Sequence, residues 1–393
     1  MTLPRVLVLV LAGGAGGRLE LLTEHRAKAA VPFAGVYRLV DFPLSNCQHA
    51  QLPDVWVSAQ FHPVSLAEHL ANGRPWDLDR TDGGLMMLQP HRGTEREGWH
   101  TGTADALWRA APLIRQHGPD ALLVLSADAV YKLDYRQVVD AHLESGGEVT
   151  MVTAEVDPAE AGRYGVVQLD GGRVRRYDYK PDQPRGGTVS NEVFVFRPEP
   201  VLDRVEELAR AAGDGGLDDL GTALLPQLAA DGAACAYPLD GYWRDVGTVA
   251  AYWQAHRDFL ASEPPLDLDD PAWPVYTRGG RHSAARILPS AEIADSLISG
   301  GTRVAGAVHG SVISPGVVVE AGATVTGSVL LPGTRVASGA VVERAVIDEG
   351  ARIGRGARVG WDGDIALIGK AAHVPDGRHV PSGGRWPEPE PDS

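Results

Sequence analysis

The sequence predicts an α/β protein. A mostly parallel sheet covered on both faces by helices is followed by a β-helix of hexapeptide repeats. Three observations lead there. An apolar run from Val6 to Ala12 ends abruptly in a glycine cluster. Short apolar runs then alternate with amphipathic stretches as far as Phe259, the pattern of strands joined by helical crossovers. Beyond about Ile293, aliphatic residues recur every six positions, as at Ile347, Ile353 and Val359, at Val312 and Val318, and at Leu330, Val336 and Val342. That period marks triangular coils that stack aliphatics inward.

The run Val6–Ala12 has no polar alternation, so it reads as a strand buried on both faces. It feeds Gly13-Gly14-Ala15-Gly16-Gly17-Arg18. Glycines without Cβ let backbone N–H groups turn inward around an anion. Arg18 adds a planar fork suited to phosphate, and Lys28 follows ten residues later. The cluster suggests a triphosphate site, with a plain glycine-rich turn as the alternative. It is not a Walker loop, because Gly17-Arg18-Leu19 lacks the Lys-Ser/Thr. It is not a dinucleotide fingerprint either, because Leu19 stands where the third glycine belongs.

With 393 residues the chain can hold two domains. A net charge of −15 argues against broad nucleic-acid or anionic-membrane binding. The two cysteines, Cys47 and Cys235, give neither metal spacing nor a disulfide framework, which fits a reducing cytoplasm. Glycines end the N-terminal apolar run after seven residues, so it reads as neither signal peptide nor membrane span.

Later elements follow the same logic. Strands are expected at Val55–Ala59, Ala121–Leu125, Glu148–Ala154 and Glu192–Phe196, and helices at Pro63–Ala71, Thr103–Gln116, Val201–Ala211, Asp218–Ala230 and from Thr248 to about Leu260. Asp170-Gly171-Gly172 is a turn signal between Gly165–Leu169 and Arg173–Tyr177, so a hairpin is expected. Glu263 to Arg281, rich in Pro and Asp, reads as an extended surface linker. The Pro- and Glu-rich end, Asp376 to Ser393, reads as a fraying tail.

Four features carry chemistry. The glycine loop with Arg18 and Lys28 is one. Gly102-Thr103 is another: glycine permits close approach, Thr103 can cap the next helix, and the junction's N–H groups could meet a base or ribose; a simple capped helix is the alternative. Asp128 lies just beyond the strand Ala121–Leu125, where ligands sit in such sheets, and suits Mg²⁺; a helix-cap Asp is the alternative. Asp245 would be a second carboxylate on that metal, or a partner of Arg244. Together these imply phosphoryl-group chemistry by positioning and charge neutralisation, with Arg18 stabilising a leaving pyrophosphate.

The stretches LAGGAGGRL, RAKAAVPFAGVYRLVDFPLSNC, GTADAL, SADAVYKLDY, YGVVQLD, YKP and YWRDVGTVAAYW, followed by the hexapeptide repeats, resemble the sugar-1-phosphate nucleotidyltransferases, the bacterial ADP-glucose pyrophosphorylases above all. The resemblance implies a Rossmann-like nucleotidyltransferase domain at 1–260, a linker at 261–290, a left-handed β-helix at 291–365 and a flexible tail at 366–393. It implies that Arg18 and Lys28 contact the triphosphate along with Gly13, Gly14, Gly16 and Gly17. It puts Gly102 and Thr103 near the base, Mg²⁺ on Asp128 and Asp245, and the sugar phosphate on Lys180. Asp41, Ser45 and Asn46 belong to a supporting segment.

Several positions depart from the family pattern. Ala29 replaces a proline, Ala127 and Ala129 flank Asp128 in place of Gly and His, and Leu88-Gln89-Pro90-His91-Arg92 replaces Pro-Ala-Gln-Gln-Arg. On the sugar side Tyr179 stands for a glutamate, and Ser190-Asn191-Glu192 for Ser-Met-Gly. Losing a carboxylate that accepts hydroxyl hydrogen bonds weakens glucose binding unless another group replaces it, and Glu192 is a candidate. Tyr179, Asn191 and Glu192 are therefore expected beside the sugar. The expected reaction joins a nucleoside triphosphate to a sugar 1-phosphate, giving an NDP-sugar and pyrophosphate. One alternative acceptor is a cyclitol phosphate such as the valienol 1-phosphate used by relatives in aminocyclitol antibiotic pathways. Another alternative is a non-catalytic regulatory subunit. With His25 where lysine is frequent and little N-terminal extension, activation by sugar phosphates is expected to be weak. The repeats are expected to pack subunits into a homo-oligomer, and His309 stands alone in them as a surface residue.

Overall fold

The computed structural model describes residues 4–91 and 98–388. Arg92 and the last five residues of the expected tail lie outside them. Contacts divide the chain into two units, and the division is not a single cut near residue 260. The first comprises Met1–Gly14, Phe42–Trp243 and Pro271–Tyr276; the second comprises Ala15–Asp41, Arg244–Asp270 and Thr277–Ser393.

The first unit is built on nine strands: β1 Val6–Leu11, β2 Asp54–Ser58, β3 Gly84–Leu88, β4 Ala121–Ser126, β5 Val149–Glu155, β6 Gly165–Asp170, β7 Arg173–Tyr179, β8 Thr188–Phe196 and β9 Ala234–Pro238. They lie in the order β3-β2-β1-β4-β8-β5-β9-β7-β6. The sheet is mixed. β3, β2, β1 and β4 run parallel, as do β5 and β9, while β8 enters antiparallel between β4 and β5. The continuous apolar runs of β1 and β4 are buried on both faces, as their lack of alternation requires. Helices Thr103–His117 and Pro198–Ala212 share one core with Leu7, Leu9, Leu122, Val124, Phe194 and Phe196. The hairpin β6–β7 forms around Gly171 and Gly172, both at positive φ. The helix expected at Asp218–Ala230 is broken into Leu220–Ala223 and Leu225–Ala230. Pro226 opens the second piece, where a missing N–H is tolerated. The linker part Pro271–Tyr276 is clamped to the first unit: Trp273 Nε1 donates to Asn46 Oδ1 at 3.1 Å, Tyr276 N to Ser45 Oγ at 2.9 Å, and His49 stacks on Trp273 at 4.4 Å. Both cysteines are buried free thiols.

The second unit carries three six-stranded parallel sheets of two- or three-residue strands, consistent with the left-handed β-helix. Val304, Val319 and Val336, Val308, Val325 and Val342, and Ile313, Leu330 and Ile347 fill one inner core. The strands run from Arg286 to Trp386, so residues 366–386, expected to be tail, are coils. Two things hid them. Seventeen residues separate Val329 from its ladder partner Val346, but 21 separate Val346 from Leu367, which breaks the period. Pro375, Gly377, Pro381, Gly383 and Gly384, which suggested a tail, lie in the turns between these short strands. On one sheet the outward-facing Val312, Val329, Val346 and Leu367 are buried as well. Helix Val249–Asp258 reaches that side: Trp253 Nε1 donates to Gly327 O at 2.8 Å and Arg257 Nη1 to Gly310 O at 3.4 Å. This is why Ala15–Asp41 and Arg244–Asp270 group with the coils.

Candidate functional site

The second unit brings together the basic half of the expected site. Gly16 (φ +71°) turns the chain, and a Cβ there would stand 2.8 Å from Thr23 Cγ2 and 3.3 Å from Lys28 Cβ. Only glycine fits that turn. Lys28 Nζ stands 3.8 Å from Asp245 Oδ1, both side chains largely buried. A Cβ on Gly247 would meet Asp245 Oδ2 at 2.7 Å and Arg18 Nη2 at 3.2 Å, so the exposed Arg18 guanidinium and the Asp245 carboxylate border one point. Arg244 Nε pairs with Asp258 Oδ2 at 2.8 Å. Gly17 has open space where a side chain would go.

The first unit holds Gly13, Gly14, Gly102, Thr103, Asp128, Tyr179, Lys180, Asn191 and Glu192. Gly14 likewise faces open space. Asp128, half-buried past β4, accepts a short hydrogen bond from Ser126 Oγ on Oδ1. It caps no helix, since β-strand Ala129–Tyr131 follows it.

At the Gly102-Thr103 junction the chain packs closely on itself. A Cβ on Gly102 would lie 2.3 Å from the carbonyl carbon of Asp218, so glycine admits this chain's own backbone. Gly102 is the N-cap of the helix, and Thr103 its first residue. Thr103 N donates to Asp219 Oδ1 at 3.2 Å and Ala104 N to Asp218 O at 3.1 Å. Those two N–H groups are satisfied inside the chain. The Thr103 hydroxyl accepts from Leu220 N at 2.8 Å, capping the other helix.

Asp219, which sequence reasoning missed, organises this corner. Its Oδ2 accepts from Tyr179 Oη at 2.9 Å, and Tyr179 Oη accepts from Lys180 Nζ at 2.7 Å. Burial first, then Asp219 and Glu192, push the Tyr179 phenol well above its ordinary pKa. An acid just before the helical run Leu220–Ala230 was the available signal. Asn191 and Glu192 occupy a bulge, where the β8–β5 register shifts between Ser190 and Phe194 and Glu192 takes φ +63°. Asn191 is 1% exposed; its Oδ1 accepts from Val193 N at 3.1 Å, and its Nδ2 has no partner among the described residues. Bulges of this kind re-aim side chains beside active sites. Ser45 and Asn46 hold the linker strap, and Asp41 Oδ2 accepts from Arg38 N at 2.8 Å. Among the described residues no group of three or more His, Cys, Asp or Glu forms a metal cage.

Comparison with known proteins gives the family. The nucleotidyl transferase family matches residues 7–262, and the GlmU-like C-terminal hexapeptide family matches residues 284–376. A glucose-1-phosphate adenylyltransferase of Thermomicrobium roseum is 42% identical over 75% of this chain and 69% of its own length. Those of Thermotoga neapolitana and Clostridioides difficile are 40% and 37% identical over 81% of this chain, covering 75% and 83% of their own. The chain belongs to the nucleotidyl transferase family, with a GlmU-like hexapeptide region behind the transferase region.

Proposed function

We propose that the chain condenses a nucleoside triphosphate with a sugar 1-phosphate, glucose 1-phosphate or a close analogue, giving an NDP-sugar and pyrophosphate. The observation that carries this reading is the family match over residues 7–262, the span that holds the glycine loop, Arg18, Lys28, Asp128, Lys180 and Asp245. On this reading an acceptor phosphate oxygen attacks the α-phosphorus in line, and the bond to the β-phosphate oxygen breaks. Backbone N–H groups of Gly13, Gly14, Gly16 and Gly17 cradle the triphosphate. Arg18 and Lys28 neutralise the leaving pyrophosphate, and Lys180 holds the acceptor phosphate. Asn191 and Glu192 face the sugar.

The donor chemistry fits Mg²⁺. Asp128 and Asp245 offer hard carboxylate oxygens, and an ion completed by substrate phosphates needs no protein cage. When bound it would draw charge off the phosphates. The supporting roles assigned to the other residues do not depend on which base or sugar is used. We further place the enzyme in the cytoplasm as a homo-oligomer packed through its repeats; no described helix is long and apolar enough to cross a membrane.

The test is pyrophosphate release with Mg²⁺ across ATP, GTP, CTP and UTP, each paired with glucose 1-phosphate, other hexose 1-phosphates and valienol 1-phosphate. Turnover with one pair is expected, and Arg18→Ala or Lys28→Ala should lower kcat by about 100-fold or more. Silence with every pair, together with stimulation of a partner pyrophosphorylase, would overturn it in favour of a regulatory subunit.

A further inference from the structure

We infer that Tyr179 does not read the sugar but positions Lys180, so that discrimination between sugar rings rests on the bulge Asn191-Glu192. This rests on the reading that Lys180 binds the acceptor phosphate. The geometry lies wholly within the first unit. Lys180 Nζ donates to Tyr179 Oη, and Tyr179 Oη donates to Asp219 Oδ2. Asp219 Oδ1 in turn accepts from the backbone N and hydroxyl of Thr103, at the first turn of helix Thr103–His117. The phenol has one proton to donate and has given it to Asp219. It also accepts from Lys180, so both of its roles are in use. The ring has no freedom to swing toward a ligand either: a Cβ on Gly221 would lie 2.2 Å from Tyr179 Cδ2, and the ammonium sits 4.4 Å from the ring centroid on the ring face. Lys180 itself is held at φ +46° with its N–H on Tyr164 O at 2.9 Å. The ammonium is therefore presented by a chain of hydrogen bonds anchored on a helix.

The bulge has the opposite character. Val193 N–H faces Asn191 Oδ1, which fixes the amide orientation, because the flipped amide would set two donors against each other. That leaves Nδ2 buried without an acceptor among the described residues, a costly state that a ligand oxygen would relieve. Glu192, exposed in the next position at φ +63°, adds acceptors. Position 191 offers a buried donor and position 192 an exposed carboxylate, the two kinds of group that hydroxyls of a sugar ring bond.

Tyr179→Phe keeps the ring and its packing and removes the hydroxyl alone. With the intact chain, the expected result is a KM for every accepted 1-phosphate raised about tenfold, the worth of a charge-assisted hydrogen bond. The kcat, the KM for the triphosphate and the ratio of kcat/KM between two sugars should stay within about twofold. Glu192→Gln should change that ratio instead. Asp219→Asn combined with Tyr179→Phe should cost no more than the worse single change, since both cut one chain. An altered sugar ratio in Tyr179→Phe, or an unchanged KM, overturns the inference. If the wild type turns over no pair, the reading of the reaction fails by itself, and calorimetry with inorganic phosphate decides here. A Kd raised about tenfold by Tyr179→Phe supports the positioning role, and equal Kd values refute it.

Discussion

Single residues show where pattern reading stops. Arg18, Lys28, Asp128 and Asp245 could be picked out from motif order, whereas Asp219, though it precedes a helical run, could not be tied to its partner Thr103, 116 positions away. Arg26 is a similar case. It lies inside a recognisable stretch, yet its guanidinium is 3% exposed and reaches Asp348 Oδ1 at 2.8 Å and Glu349 Oε2 at 3.1 Å. Burial raises the Asp348 carboxyl pKa in spite of Arg26. Burial also acts against Glu349, but Arg26, Arg38 and Lys370 together hold its carboxyl below the usual range. Removing one member of a buried pair strands a charge, at a cost of about 3–5 kcal/mol. Arg26→Met and Asp348→Leu should each lower the unfolding free energy measured in urea by that amount, and the double variant should recover most of the loss. A double variant as unstable as the sum of the singles would show that the pair holds more than its own charges.

At the scale of elements, strands and helices were legible wherever one period ran unbroken. The runs of β1 and β4, the hairpin β6–β7 and the helix at Thr103 follow from local pattern. Elements failed to show where packing overrides it. The bulge at Asn191 has no local signature, and the coils from Ala366 onward were hidden by an interrupted repeat and by Pro375 and Pro381 in the turns between strands. The Gly102 junction is the sharpest instance, since a glycine that looked like a ligand's doorway is filled by Asp218. Gly102→Ala should force the Asp218-Asp219 backbone away from the helix start. Overpacking of this kind costs about 1–3 kcal/mol. Because Asp219 moves with it, the KM for the 1-phosphate should rise as well. Denaturant titration and steady-state kinetics on the same variant check both; a stable variant with an unchanged KM would mean that the segment gives way without disturbing Lys180.

For the whole molecule, acid tolerance rests on histidines whose pKa burial lowers: His256 in the second unit, and His142 and His100 in the first. His256 is fully buried in the second unit, where Nδ1–H donates to Tyr252 O at 2.8 Å and Nε2 accepts from Ala34 N at 3.0 Å. A backbone N–H can only donate, so the imidazole must be neutral; a proton on Nε2 would set two donors together. Burial lowers its pKa from 6.5 to about 4, against a small opposing pull from the Tyr252 carbonyl. His142 in the first unit, bonded through Nδ1 to Thr150 Oγ1 at 2.9 Å, is lowered to about 4 by burial and then by Arg197. Because the folded pKa lies below the unfolded one, the unfolded chain binds more protons as pH falls. The stability from each group is complete above about 6.5 and is lost progressively toward 4. For His256 the whole change amounts to about 3 kcal/mol. Glu349 adds to the loss only below its ordinary range, and Asp348, with its raised value, opposes it. Between pH 7 and 5 the histidines therefore dominate. Unfolding by urea, followed by tryptophan fluorescence, should show a falling midpoint across that interval. His256→Gln and His142→Gln should each flatten that slope. A midpoint independent of pH between 7 and 5 would mean that water or rearrangement admits the proton in the folded state.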